Sequence, residues 1–287
     1  MNMRLFLRQM SPEEQLRQEE FANRILAIGE GRDTNNDIIQ WPLNGIVSDN
    51  TSQSLANAIY PTLADPNAPI PTAQHLAERT ILAARNDTVD KLNEQLLASM
   101  NGEVFTSYSA DKVVDEGDAE TYATEYLNTV NLSNLPPHQL KLKIGAPVIL
   151  LRNLTPCTGL CNGTRLRVAC ISQRVVQCEI LGGKYAGNMV IIPRIPLSPS
   201  STADLPFEFR RTQFPLRLAF AMTINKAQGQ MLNHVGLCLK EPVFTHGQLY
   251  IALSRVTDGA NLRMIVPDTE EARQGKIKNV VYSEVFN

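Results

Sequence analysis

Apolar residues return at helical spacing through the first thirty positions, with Leu16, Phe21, Ile25 and Leu26 on one broad face. Ser11 can accept from the first turn while Glu14 reaches back. This capping box predicts an amphipathic helix over residues 11–28, ended by Gly29 and Gly31. Residues 38–47 form an apolar run broken by Pro42 and Gly45, residues 54–59 predict a short helix, and the proline-rich stretch 61–71 reads as a connector. The run TILAA at 80–84 predicts a buried strand. After it, Val89, Leu92, Leu96 and Leu97 recur at helical spacing behind Asp87 as cap and Asp90 at the box position. Strand then helix is the repeating unit of an α/β sheet. Residues 104–108 return as strand.

The texture changes after residue 110. An acidic, polar stretch holds one short predicted helix at 119–127. From Leu140 the chain becomes short β-branched runs, LKIGAPVILLRN, TRLRVACIS, VVQCEIL and NMVIIPRI, separated by Gly, Pro and Asn. Such runs predict a compact antiparallel barrel or sheet. The α/β pattern then resumes. FPLRLAFAMT is an apolar run, NKAQGQ a loop into a short helix and HVGLCL a strand; Thr245 caps a helix over 246–253, and NLRMIVP is the last strand before a charged tail. The expected organisation is an α/β domain over residues 1–109 and 206–287, interrupted by a small β module over 110–205.

Composition narrows this little. Hydrophobic residues at 43% and charged residues at 20% are ordinary for an α/β protein and name no function. No window approaches eighteen apolar residues and the start turns acidic before a signal-peptide core could form, so an intracellular protein is the expectation. The net charge of −2 hides an asymmetry: nine Lys/Arg stand against twenty Asp/Glu through Leu135, and eighteen against nine from Pro136 onward. A basic second half suits a phosphate backbone, and dispersed surface lysines and arginines give the same tally. Five cysteines, all in that half, disfavour a disulfide framework. A zinc site would need Cys157, Cys161, Cys170 and Cys178 together with no His nearby; the other reading is buried, reduced thiols.

Two segments concentrate the candidate chemistry. In MTINKAQGQ, Met222 to Gln230, Thr223 sits where an apolar strand ends, and Asn225, Lys226, Gln228 and Gln230 surround Gly229, which permits close backbone approach. In GQLYIALSR, Gly247 to Arg255, an arginine follows apolar helix residues, and its five-donor fork suits a transferring phosphoryl group. The residues alone leave blander readings open: a polar turn before a short helix, and a solvated charge at a helix end. No Gly-rich loop ending in Gly-Lys-Ser/Thr, the cradle for a triphosphate, occurs in the chain.

Taken together, ERTILAARNDTVDKLNEQLL, LPPHQLKLKIGAPVILLRNL, GLCNGTRLRV, FRRTQFPLRLAFAMTINKAQGQ and HGQLYIALSR resemble, in order, the blocks of the PIF-family DNA helicases, superfamily-one motors. Within the family they look most like the branch carried by rolling-circle Helitron transposons. The resemblance runs from residue 1 to about Val266. It implies a RecA-like second motor domain of the P-loop NTPase type, with an inserted small SH3-like β-barrel module, from a motor that unwinds DNA 5′ to 3′.

Carried over by residue, the resemblance implies that Thr223, Asn225 and Lys226 face DNA or couple it to the nucleotide cleft. Arg4, Gly229 and Gln230 would lie nearer the nucleotide, and Arg255 would be the arginine finger. Asn162, Thr164 and Arg165, around Gly163, would form the module loop that guides single-stranded DNA by phosphate contacts. Ala227 stands where the family usually has a serine. ATP and Mg²⁺ are the implied cofactors of the complete helicase, held chiefly by a first RecA-like domain before residue 1. The chain alone is expected to bind neither well, to supply no metal ligands and to hydrolyse nothing by itself. The implied partners are single-stranded DNA and that first domain, with no membrane, in the nucleus.

Overall fold

The computed structural model describes residues 11–32, 37–114, 122–132, 134–199, 205–282 and 284. In chain order they form α1 (Pro12–Gly29), β1 (Ile38–Gln40), α2 (Ser52–Ile59), α3 (Ala73–Ala77), β2 (Arg79–Ala83) and α4 (Asn86–Ser99). Then come β3 (Phe105–Tyr108), β4 (Ala110–Val113), α5 (Thr124–Thr129), β5 (Gln139–Leu142), β6 (Pro147–Leu150) and β7 (Arg165–Ile171). These are followed by β8 (Val175–Ile180), β9 (Met189–Pro193), β10 (Ile195–Leu197), β11 (Phe209–Gln213) and β12 (Leu216–Leu218). The chain closes with β13 (Ala221–Thr223), β14 (His234–Cys238), α6 (Gln248–Leu253), β15 (Leu262–Ile265), α7 (Glu270–Arg273) and β16 (Lys276–Lys278). Two compact units result. The first takes described residues of Met1–Ala64, Glu78–Leu96 and Ala221–Asn287, the second Asp65–Ala77 and Leu97–Phe220.

The first unit is built on a four-stranded parallel sheet in the order β13-β2-β14-β15. β2 and β14 are buried along almost their whole length, which is why they read as continuous apolar runs. Leu82 of β2 pairs with Met222 of β13 on one side and Leu237 of β14 on the other. At Gly236, in β14, a Cβ would stand 2.8 Å from Ile59 and 3.2 Å from Leu55, so α2 can lie this close only over glycine. Buried Asn93, on α4, donates through Nδ2 to the Ala221 carbonyl at 3.0 Å and accepts from the Ala221 amide at 2.9 Å. Both backbone groups at the start of edge strand β13 are thereby satisfied.

Four expectations are corrected in α1, α4, α6 and the tail. The α1 capping box forms, with the Glu14 amide donating to Ser11 Oγ at 3.3 Å and the Ser11 amide to Glu14 at 3.0 Å. However, the buried stripe is Ile25 and Ile28 with Phe21 against it, while Leu16 and Leu26 are 58% and 44% exposed. Leu26 lies about 100° around the helix from Ile25 and so misses the core. α6 begins at Gln248 behind Gly247 at φ 68, because the Thr245 carbonyl accepts from the Gln248 amide instead of its side chain capping. The charged tail is also structured. β16 pairs antiparallel with β1, and the Asn279 amide group donates to the Ile28 carbonyl at 2.9 Å, satisfying a group at the end of α1. α4 likewise starts at Asn86, which places Asp87 inside the first turn.

The second unit holds a five-stranded antiparallel sheet, β12-β6-β7-β8-β9, a three-stranded sheet, β10-β11-β4, and a β3-β5 ladder. Alternation aims Val176, Cys178 and Ile180 of β8 into a core with Leu142, Val148, Leu166 and Phe214. The apolar run 214–223, read from sequence as one stretch of the resumed α/β domain, divides. Leu216–Leu218 pairs antiparallel with β6, whereas Ala221–Thr223 pairs parallel with β2 of the first unit. The compact unit therefore extends beyond residues 110–205 on both sides. Of the helix predicted at 119–127, residues 119–121 lie outside the described residues; α5 continues it to Thr129. Against α5, Arg211 is buried with Asp111 and donates to the carbonyls of Leu127, Val130 and Pro136 at 2.9–3.1 Å.

Candidate functional site

The first unit presents its candidate residues at the carboxyl end of the parallel sheet, the edge where open α/β sheets meet ligands. β13 ends at Thr223, and a 3₁₀ turn over Ile224–Ala227 follows, with Thr223 at its start making no side-chain cap bond. Residues three apart share a side of a 3₁₀ turn. Ile224 and Ala227 are both fully buried, which turns exposed Asn225 and half-buried Lys226 away from the core. Ala227, where a serine was expected, is thus a core residue. Gly229 follows at φ 83 with open space around it, and the half-buried Gln230 donates to the Lys226 carbonyl at 3.4 Å.

Arg255 joins this turn to α6. Its side chain is 7% exposed, and its fork faces inward. Nε donates to the Ile251 carbonyl at 2.9 Å, Nη1 to the carbonyls of Ala227 at 3.3 Å and Gln230 at 3.1 Å, and Nη2 to Ser254 Oγ at 2.8 Å. The Arg255 carbonyl in turn accepts from the Leu232 amide at 3.0 Å. The structure therefore brings Thr223, Asn225, Lys226, Gly229, Gln230 and Arg255 into one neighbourhood. Arg4 lies outside the described residues. Asn93, which fixes the start of β13, and buried Gln248, which accepts from the Phe244 amide at 3.0 Å, were not singled out from sequence. The only signal for Asn93 was an amide beside the apolar stripe of α4.

The candidate loop of the second unit connects β6 to β7. Gly163, at φ 91, donates its amide to the Leu150 carbonyl at 2.8 Å, and Thr164 Oγ1 donates to the Gly159 carbonyl at 2.8 Å while accepting from the Cys161 amide at 3.2 Å. The Asn162 amide is held by Asn153 Oδ1 at 2.7 Å. Of the three predicted DNA-facing residues here, only Asn162 is exposed. Thr164 closes the loop, and Arg165 is 7% exposed and directs Nη2 to the Ala219 carbonyl at 3.4 Å. This departs from the sequence expectation of a presented triplet, because the first position of β7 points into the unit.

Among the described residues no three His, Cys, Asp or Glu side chains are gathered to hold a metal. Nor does Arg255, with its donors turned onto this chain's own carbonyls, form a triphosphate cradle in this arrangement. Cys178 is buried in the second unit's core and burial pushes its thiol up to about 12, whereas Cys157 and Cys170 are exposed. Among the described residues no helix is long and apolar enough to cross a membrane.

Residues 125–171 match the 2B domain of the DNA helicase Pif1. The ATP-dependent DNA helicase PIF6 of Trypanosoma brucei brucei is 30% identical over 201 residues, covering 68% of this chain, and PIF1 of Xenopus laevis is 30% identical over 207 residues, covering 70%. The chain is related to the Pif1 DNA helicases. Human PIF1 is 28% identical over 214 residues. The Pif1-related chain covers only 24%, 30% and 29% of these three proteins. Its mixed α/β, RecA-like fold is shared with Pif1 of Candida albicans, at a TM-score of 0.58, 21% identity and 93% coverage of this chain. It is shared also with Bacteroides Pif1 bound to single-stranded DNA, at 0.59, 22% and 93%. It spans 57% and 52% of those two chains.

Proposed function

We propose that the chain is the C-terminal portion of an ATP-dependent 5′-to-3′ DNA helicase, of the branch carried by Helitron transposons. In this reading residues 1–109 and 206–287 are the second motor domain, and residues 110–205 contain an SH3-like module. Thr223, Asn225 and Lys226 contact single-stranded DNA. Gly229, Gln230 and Arg4 lie toward the nucleotide, and Arg255 is the arginine finger. Asn162 touches the strand from the module while Thr164 holds its loop in shape and Arg165 fastens the start of β7. ATP and Mg²⁺ belong to the complete motor, bound chiefly by a first RecA-like domain.

The observation that carries the reading is local: a polar turn at the carboxyl edge of a parallel sheet, with Arg255 bonded to two of its carbonyls. Relationship to the Pif1 helicases supports it. The chain alone is expected to bind single-stranded DNA without hydrolysing ATP. Titration with oligothymidylate should show binding that weakens with salt, with a slope of about −0.7 per phosphate neutralised. No measurable affinity at low salt would overturn the DNA-binding role, and ATP turnover clearly above background would overturn the partial-motor reading.

A further inference from the structure

Arg255, the residue proposed to face a phosphoryl group, is also the fastening of the loop beside it. Nη1 has two hydrogens, and two loop carbonyls, Ala227 and Gln230, accept from it. The acceptors named for it are neutral, and its charge is buried at the carboxyl end of α6, where oriented carbonyls favour a cation. Ala227 and Leu232 are themselves buried, so they anchor the segment at either end. Between them Gln228 and Gly229 are exposed.

We propose that Arg255 is a positioning residue for residues 228–231. Its guanidinium and its own carbonyl together clamp this segment to the end of α6, and any arrangement that turns the fork outward releases the carbonyls of Ala227 and Gln230. One set of hydrogen bonds is therefore shared between two uses. Loop order and outward presentation of the arginine exclude one another, so a ligand favouring one disfavours the other by the same free energy. The link to DNA rests on the reading of Thr223, Asn225 and Lys226 as DNA-facing; the clamp does not.

Amide hydrogen exchange on the full 287-residue chain tests the clamp without DNA or nucleotide. Arg255→Lys keeps the charge but loses the fork. Arg255→Met keeps the apolar stem alone. In both, protection of the Gln230 and Leu232 amides should fall by about tenfold or more while Val235 and Leu237 of β14 keep theirs, the pattern of local rather than global opening. Unchanged loop protection overturns the proposal, as does a loss shared equally by β14. With oligothymidylate, Arg255→Met should weaken binding severalfold at an unchanged salt slope. A slope reduced by about 1 would mark a direct phosphate contact and overturn the positioning role; an unchanged affinity would overturn the link to DNA. If the unaltered chain binds no oligonucleotide, the proposed function fails while exchange still decides the clamp.

Discussion

Arg211 donates through Nε and Nη2 to both carboxylate oxygens of Asp111 at 2.7–3.1 Å, and neither side chain has any solvent exposure. Its Nη1 reaches Val130 and Pro136, so the pair fastens β4 and β11 to the end of α5. Removing one partner strands a buried charge. Arg211→Met or Asp111→Asn should destabilise the chain by about 3–5 kcal/mol in urea unfolding, and Arg211→Met combined with Asp111→Leu should cost less than either alone. A single-variant loss below about 1 kcal/mol would show that the pair is not anchoring the unit.

Gly236 offers a steric test in the first unit. A methyl group there meets Cγ1 of Ile59 and of Ile81 and a terminal methyl of Leu55 at 2.8–3.2 Å, all on buried side chains. Gly236→Ala should cost about 1–3 kcal/mol by overpacking α2 against the sheet, and Gly236→Val more. Equal midpoints for the two variants in chemical denaturation would refute this packing account.

The five thiols should divide by environment. Burial pushes Cys178 up to about 12 and also raises Cys238, so both stay thiols at pH 8, whereas Cys157 and Cys170 are open to solvent. Titration with a disulfide reagent should modify the exposed pair first and the buried pair only on unfolding. Early labelling of Cys178, mapped by mass spectrometry, would contradict its placement in the core.

His234 sets a pH dependence. Burial, then the nearby Arg79, holds its imidazole below the usual value, against the pull of Glu78. The unfolded chain takes up a proton near pH 6.5 before the folded chain does. Its contribution to stability is therefore fully present above that pH and is lost as the pH falls toward the folded value. The drop in Tm between about pH 7.5 and 5.5 should be smaller in His234→Gln than in the unaltered chain; an equal drop would assign the acid sensitivity elsewhere.

Legibility in the sequence followed the range of the interactions. The α1 capping box, β2, β3, β14 and β15 were all visible, because a cap needs residues three apart and a buried strand announces itself by an apolar run. Strand partnership was not, and residues 214–223 show why: Leu216 and Met222 are equally apolar, yet one pairs in an antiparallel sheet and the other in a parallel one. Arg165 looked presented beside a glycine turn, but the register of β7 buries it. Asn93, Asp111 and Arg211 are polar residues whose partners lie tens of positions or more away, and no local pattern foretells them. The candidate turn itself was legible, since its polar residues and glycine are contiguous; the inward fork of Arg255 was not, since the two carbonyls that accept from Nη1 lie about twenty-five positions back.

The pairing of Leu82 with Met222 has a consequence for how the chain is assembled. These neighbours are about 140 positions apart, and nearly all of the intervening chain belongs to the other unit. Closing so long a segment as loose chain costs conformational entropy before any contact rewards it, and contacts of high sequence separation slow folding. If residues 97–220 fold first, they draw the two ends together and shorten the effective closure. On a ribosome, β2 must wait without its edge partner until β13 emerges. The turn carrying Thr223 to Gln230 is therefore among the last features to acquire its shape, after the chain that separates it from its own sheet.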